Sequence, residues 1–174
     1  MLLLKILMLL NIFSICGILG FSFGHRYTKR LNGLQDLQEV TRLLQTELLV
    51  FLTPIPIAIE NILEKTSQPM TKVLSFMRDK IEKDEVGDLY AIFNEASYLL
   101  EEEYSLTPED LEIFKSLGKV IGRSYRDNQE LQIKYVLNSF QEQIHEAKEE
   151  KNMYGKMYGS LGIILGLGMI IILI

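Results

Sequence analysis

Apolar positions recur at spacings of three and four through the middle of the chain, and no stretch alternates as a half-buried strand does. Leu31, Leu34, Leu37, Thr41, Leu44, Leu48 and Phe51 form the first helical stripe, which Thr53-Pro54-Ile55-Pro56 ends. Ile55, Ile59, Ile62 and Leu63 predict a short second helix. Ser67-Gln68-Pro69 interrupts again, and Val73, Leu74, Met77 and Ile81 share a face beyond it. Asp84 to Asp88 reads as a turn or a new cap before Leu89, Ile92, Phe93, Ala96, Leu99 and Leu100. Thr107-Pro108-Glu109-Asp110 is a strong helix start: a capping hydroxyl, a proline suited to the first turn, and two acids that complement the helix dipole. Leu111, Phe114, Leu117, Val120 and Ile121 give that helix its buried face, and Gly122 is placed to end it. A last helix begins near Ser124 to Asn128. Its apolar side is expected at Leu131, Tyr135, Leu137, Phe140 and Ile144, with no breaker before the C-terminus. Short connections between six such pieces predict an all-α antiparallel bundle.

The two ends follow another pattern. Ile6 to Gly24 is 19 residues without charge, about 28 Å as a helix and close to the apolar thickness of a bilayer. Gly159 to Ile174 is 16 uncharged residues, about 24 Å and short for a span unless Met157 and Tyr158 extend it. Gly155, Gly159, Gly162 and Gly166 recur at four, three and four, which aligns them on one helix face. Such a line in lipid lets another helix backbone approach closely. Gly17, Gly20 and Gly24 make a shorter line in the first segment. The two segments are expected to meet each other, or partner helices, along these lines. The expected division is an N-terminal span at 1–24, a bundle at 25–158 and a C-terminal span at 159–174.

Charge orients the spans. Arg26, Lys29 and Arg30 follow the first segment, and Lys151 and Lys156 precede the second. Positive residues stay on the cytoplasmic side, so the bundle is expected in the cytoplasm and both termini across the membrane. A cleaved signal peptide is the competing reading of the first segment. It meets a weak basic start and no convincing small-residue cleavage site. All 23 acidic residues but only 17 of the 18 basic ones lie between His25 and Tyr158, which leaves that interval at −6. A general nucleic-acid binder needs a net basic face, so no nucleic-acid partner is expected.

No constellation marks catalysis or a cofactor. Cys16 is the single cysteine, which excludes a disulfide framework and a thiolate metal site. His145-Glu146 lacks the second histidine of a zinc-binding helix, and no glycine-rich loop runs into Lys-Ser or Lys-Thr. Glu101-Glu102-Glu103 reads as a solvated helix end. Glu60, Glu64 and Lys65, like Glu146, Glu149 and Glu150, read as exposed faces.

Three places together resemble the stage III sporulation protein AB family. They are Glu47 with Leu52-Thr53-Pro54-Ile55-Pro56, then Phe114-Lys-Ser-Leu-Gly-Lys-Val-Ile-Gly122 with Gln129, and Ala147-Lys-Glu-Glu-Lys-Asn-Met-Tyr-Gly-Lys-Met-Tyr-Gly-Ser-Leu-Gly162 running into Gly166-Leu167. The family often carries an acid where this chain has Tyr125, with Asp127 two places later. The resemblance implies a member of an eight-protein assembly made in the mother cell and placed in the outer forespore membrane. There, with a forespore-side partner, it forms a channel related to secretion machinery. It further implies a bundle similar to the cytoplasmic domain of the platform protein of type II secretion and type IV pilus systems. A secretion-type ATPase, the other channel proteins and lipid are the implied partners. A membrane-anchored sensor or adaptor that holds a small ligand between helices is the alternative.

Overall fold

Among the described residues, the computed structural model of the chain is built from helices and turns, without strands. It describes residues 2–83, 88–122, 128–155, 157, 158, 160, 161, 164, 167, 168 and 171, with the side chains at 2–10, 12, 13, 16, 17, 19 and 20 left aside. Among the described residues, six continuous α-helices follow in order: α1 Leu2–Gln45, α2 Ile55–Leu63, α3 Met70–Glu82, α4 Leu89–Tyr104, α5 Pro108–Gly122 and α6 Gln129–Glu150. Two π-helical turns extend α1 and α6, at Thr46–Val50 and Lys151–Gly155. The chain divides into two compact units. Residues Asn32–His145 form one, and Met1–Leu31 with Glu146–Ile174 form the other.

The unit from Asn32 to His145 is a bundle whose core takes one stripe from each helix. Leu34, Leu37, Val40 and Leu44 of α1, Ile59 and Ile62 of α2, and Val73, Leu74 and Met77 of α3 are buried. So are Ile92, Phe93, Ala96 and Leu100 of α4 and Leu111, Phe114, Leu117 and Ile121 of α5. Phe93 and Phe114 meet with ring centroids 4.9 Å apart. Helices α4 and α5 come this close because Gly118 has no side chain: a Cβ there would lie 2.7 Å from the Phe93 ring. Gly33 does the same for α1 and α4, where a Cβ would lie 2.6 Å from the Tyr104 ring. The Tyr104 hydroxyl donates to Asp36 Oδ2 at 2.6 Å, satisfying a phenol that is otherwise buried. Burial, then the Asp36 bond, push that phenol well above its usual ionisation range.

Local signals explain the helix starts. Asp88 caps α4 by accepting from the Tyr90 amide. At α5, the Thr107 hydroxyl accepts from the Asp110 amide while Asp110 Oδ2 accepts from the Thr107 amide, a reciprocal box that explains why a fully buried aspartate is tolerated. The α4 helix ends at Ser105 in a left-handed conformation, φ 57°.

Two expected stripes are corrected. Leu131 and Tyr135 of α6 are exposed and Leu137 is half-buried; Ile133 and Val136 turn inward in their place, ahead of Phe140 and Ile144, which are buried as expected. Ile133, Val136, Phe140 and Ile144 repeat at three and four without a break, whereas Tyr135 reaches Phe140 only by a step of five, about 140° around the helix. Phe51 is also exposed, at 66%. The helix becomes π-helical at Thr46–Val50 and ends at Phe51, so spacings of three and four no longer carry the stripe from Leu44 to Phe51, and Glu47 is the buried residue of this turn.

Candidate functional site

Two places among the described residues join polar contacts to an irregular turn. The first is at the end of α1 in the bundle unit. The Phe51 amide donates to the Thr46 carbonyl at 3.1 Å, closing the π-turn, and the Thr53 amide donates to the Glu47 carbonyl at 2.8 Å. Between them Leu52 has φ 55°, a conformation that bulky residues avoid and that costs on the order of 1–3 kcal/mol. The Glu47 carboxylate stabilises this geometry. It accepts from Thr53 Oγ1 at 2.9 Å and Asn61 Nδ2 at 3.1 Å, and Lys65 Nζ lies 3.6 Å away. The result is a knuckle that leaves Val50, Phe51, Leu52 and Ile57 in solvent above a buried carboxylate.

The Asn61 and Thr53 hydrogen bonds hold the Glu47 carboxyl below its ordinary value, against burial, and Lys65 assists. A depressed carboxyl contributes stability that is present above the unfolded-state value, about 4.3, and is lost as pH falls through the folded-state value. Glu47→Gln is therefore expected to flatten the acid side of the stability–pH curve below about pH 4.3. Thermal unfolding of the two proteins across pH 3–7 checks this; superimposable acid limbs would count against the carboxylate as the anchor of the knuckle.

The second place lies in the unit formed by the chain ends. Gly24 of α1 faces Gly155, and a Cβ at Gly24 would lie 2.8 Å from the Gly155 carbonyl oxygen. Four aromatic rings flank the crossing. Tyr27 stacks on Tyr154 and Tyr158 with centroids at 5.7 and 6.1 Å, and Phe23 meets Tyr158 at 6.1 Å. Beyond them Arg30, 6% exposed, donates from Nη1 to Glu150 Oε2 at 2.6 Å, with Glu146 at 3.8 Å. Charge-assisted bonds of this kind are short and strong.

Arg26 and Lys29 are exposed and Lys151 half-buried, whereas Arg30 is spent on an ion pair. Lys156, Gly159, Gly162 and Gly166 lie outside the described residues; Gly17 and Gly20 lie in α1, without described surroundings. Glu150 corrects the reading of an exposed face, because Arg30 covers it in part. The two residues are 120 positions apart, so no local spacing could have paired them. Among the described residues no helix is long and apolar enough to cross a membrane, and no group of three potential metal ligands is found. An open groove of about 350 Å³ runs between α5 and α6, lined by Val120, Leu131, Tyr135 and Val136 with Ser116, Asn128 and Gln132.

A family profile described as stage III sporulation protein AB matches residues 5–174, which takes in the bundle and both apolar ends. The chain belongs to the stage III sporulation protein AB family. It is 25% identical over 154 residues to the stage III sporulation protein AB of Bacillus subtilis strain 168, a match covering 88% of this chain and 90% of that one. A solved structure of a stage III sporulation protein AB (SpoIIIAB) superimposes with a TM-score of 0.66 at 20% identity, over 72% of this chain and 98% of the other. At that identity the likeness speaks for the fold, which it shares. The chain is thus a sporulation protein by family and a helical bundle by structure. The knuckle at Glu47 and the crossing at Gly155 both fall inside the stretches that carried the resemblance.

Proposed function

We propose that this member of the family is a non-enzymatic platform component of a secretion-like channel in the outer forespore membrane. Two membrane spans hold it there, one near Ile6 to Gly24 and one near Gly159 to Ile174. The bundle stands in the mother-cell cytoplasm and couples a secretion-type ATPase to the membrane assembly. The other channel proteins and the lipid itself are its remaining partners.

The observation that carries this reading is the apposition of Gly24 and Gly155 in the unit holding both apolar ends. Close backbone contact through glycine is how helices associate where lipid leaves no hydrophobic drive between them. The uncharged run within α1 and the exposed Arg26 and Lys29 beyond it support a first span with a cytoplasmic bundle. With Arg30 neutralised by Glu150, the orientation rests on Arg26, Lys29 and the two lysines before the second segment.

Affinity purification of the full chain, in mild detergent, from sporulating cells tests the reading. The channel proteins and the ATPase are expected to co-purify. Recovery of the channel proteins without the ATPase, after chemical cross-linking in the cells, would remove the coupling role. The groove between α5 and α6 favours a second reading, a ligand-holding adaptor, since its volume falls at the small end of ligand sites. Ligand-dependent thermal stabilisation that Tyr135→Ala removes would support that reading.

A further inference from the structure

Every side chain from Val50 to Ile57 is apolar except that of Thr53, and Thr53 spends its hydroxyl on Glu47. Val50, Phe51, Leu52 and Ile57 are each more than half exposed, and Pro54 and Pro56 are exposed between them. The fold holds this run outward at a cost. Leu52 sits at φ 55° between the Phe51 and Thr53 bonds to the turn. Strain of that kind in a bulky residue persists only where the surroundings fix it, and it clusters at functional sites. The four large side chains present on the order of 400 Å², the size of patch that marks a contact site rather than scattered surface residues.

Charge decides what covers the patch. Ile57, Glu60 and Glu64 follow at three and four along α2 and its cap, so the two acids continue the face that Ile57 begins. Both are exposed and form no ion pair among the described residues. Arg78 of α3 feels the field of Glu60 but is bonded to Asp79 at 2.9 Å. Lys65 is drawn to Glu47, 3.6 Å away. The unit Asn32–His145 as a whole holds 20 of the 23 acidic residues and 11 of the 18 basic ones, a net charge of −9. An anionic bilayer repels such a rim, and the same patch on a second copy would set four acids against one another. We infer that the Val50–Ile57 knuckle is a docking surface for a protein partner that offers an apolar hollow edged by lysine or arginine. Its area is about half of the roughly 800 Å² that each side gives to a standard stable interface, so the contact is transient. The inference stands apart from the coupling role proposed above, because a basic partner other than the ATPase would satisfy the one and not the other.

The test uses the full chain in sporulating cells, with p-benzoylphenylalanine in place of Phe51, irradiated and analysed by mass spectrometry. The expected adduct joins a protein at a segment where apolar residues are flanked by lysine or arginine. Glu60→Lys combined with Glu64→Lys is expected to lower its yield about tenfold. Glu60→Gln with Glu64→Gln should give an intermediate yield, and replacing the partner's flanking cation by glutamate should restore the adduct of the lysine variant. Leu52→Asn, a residue suited to positive φ, is expected to lower the yield while leaving the Tm of the detergent-solubilised chain unchanged or raised. Adducts with lipid alone or with a second copy of the chain overturn the inference, as does the lack of any adduct. So does a yield indifferent to the charge at Glu60 and Glu64. A Tm lowered by Leu52→Asn would make Leu52 a packing residue of the bundle and overturn it too.

Discussion

Gly24→Leu is expected to separate the two terminal segments while leaving the bundle folded. The first atom of the new side chain would already lie 2.8 Å from the Gly155 carbonyl oxygen, a backbone atom that cannot rotate aside. Overpacking of this kind costs about 1–3 kcal/mol even where side chains can yield. In lipid each segment has other neighbours available, so a penalty near 1.4 kcal/mol shifts the pairing about tenfold. Cross-linking between Tyr27→Cys and Tyr158→Cys should fall accordingly, and sporulation should fail at unchanged protein level. Gly168→Leu is the comparator, because a Cβ there meets nothing within 4 Å. It is expected to behave as the parent. Equal yields for the two variants would remove the crossing as a packing contact.

Phe140→Ala in α6 is expected to cause the largest loss of bundle stability. Phe140 has no exposed surface and is among the largest fully buried side chains. Truncation removes its transfer free energy and leaves a void, about 3–5 kcal/mol together. Domains of this size hold only about 5–15 kcal/mol in total. Tyr135→Ala, one turn earlier on the exposed side, should cost little. Thermal unfolding of the detergent-solubilised chain, followed by helical circular dichroism, measures both. A loss for Tyr135→Ala as large as that for Phe140→Ala would restore the expected stripe, which has both residues on the buried face.

That stripe shows where sequence and structure part. The core positions of α1 from Leu34 to Leu44, and those of α4 and α5, are readable because each face is apolar and its opposite face polar. On α6 two faces of the first turns are apolar: Ile133 and Val136 compete with Leu131 and Tyr135 for the side that continues into Phe140 and Ile144. Only the neighbouring helices decide between them. The Glu47 knuckle was half legible. Thr53-Pro54 announces the end of a helix, but a π-turn leaves no mark in periodicity except a stripe that stops fitting, as it does at Phe51. The glycine spacings point to close approach. They do not say that Gly24 meets Gly155 in particular, nor that Glu150 pairs with Arg30.

The side of the membrane on which the bundle stands is tested most directly by labelling. The full chain, produced in the plasma membrane of vegetative cells, carries Cys16→Ser and Glu101→Cys, the latter at an exposed position on α4, and a membrane-impermeant maleimide is applied to intact and to lysed cells. A cytoplasmic bundle held by two spans predicts labelling only after lysis. Equal labelling in intact cells would place the bundle across the membrane and contradict that topology.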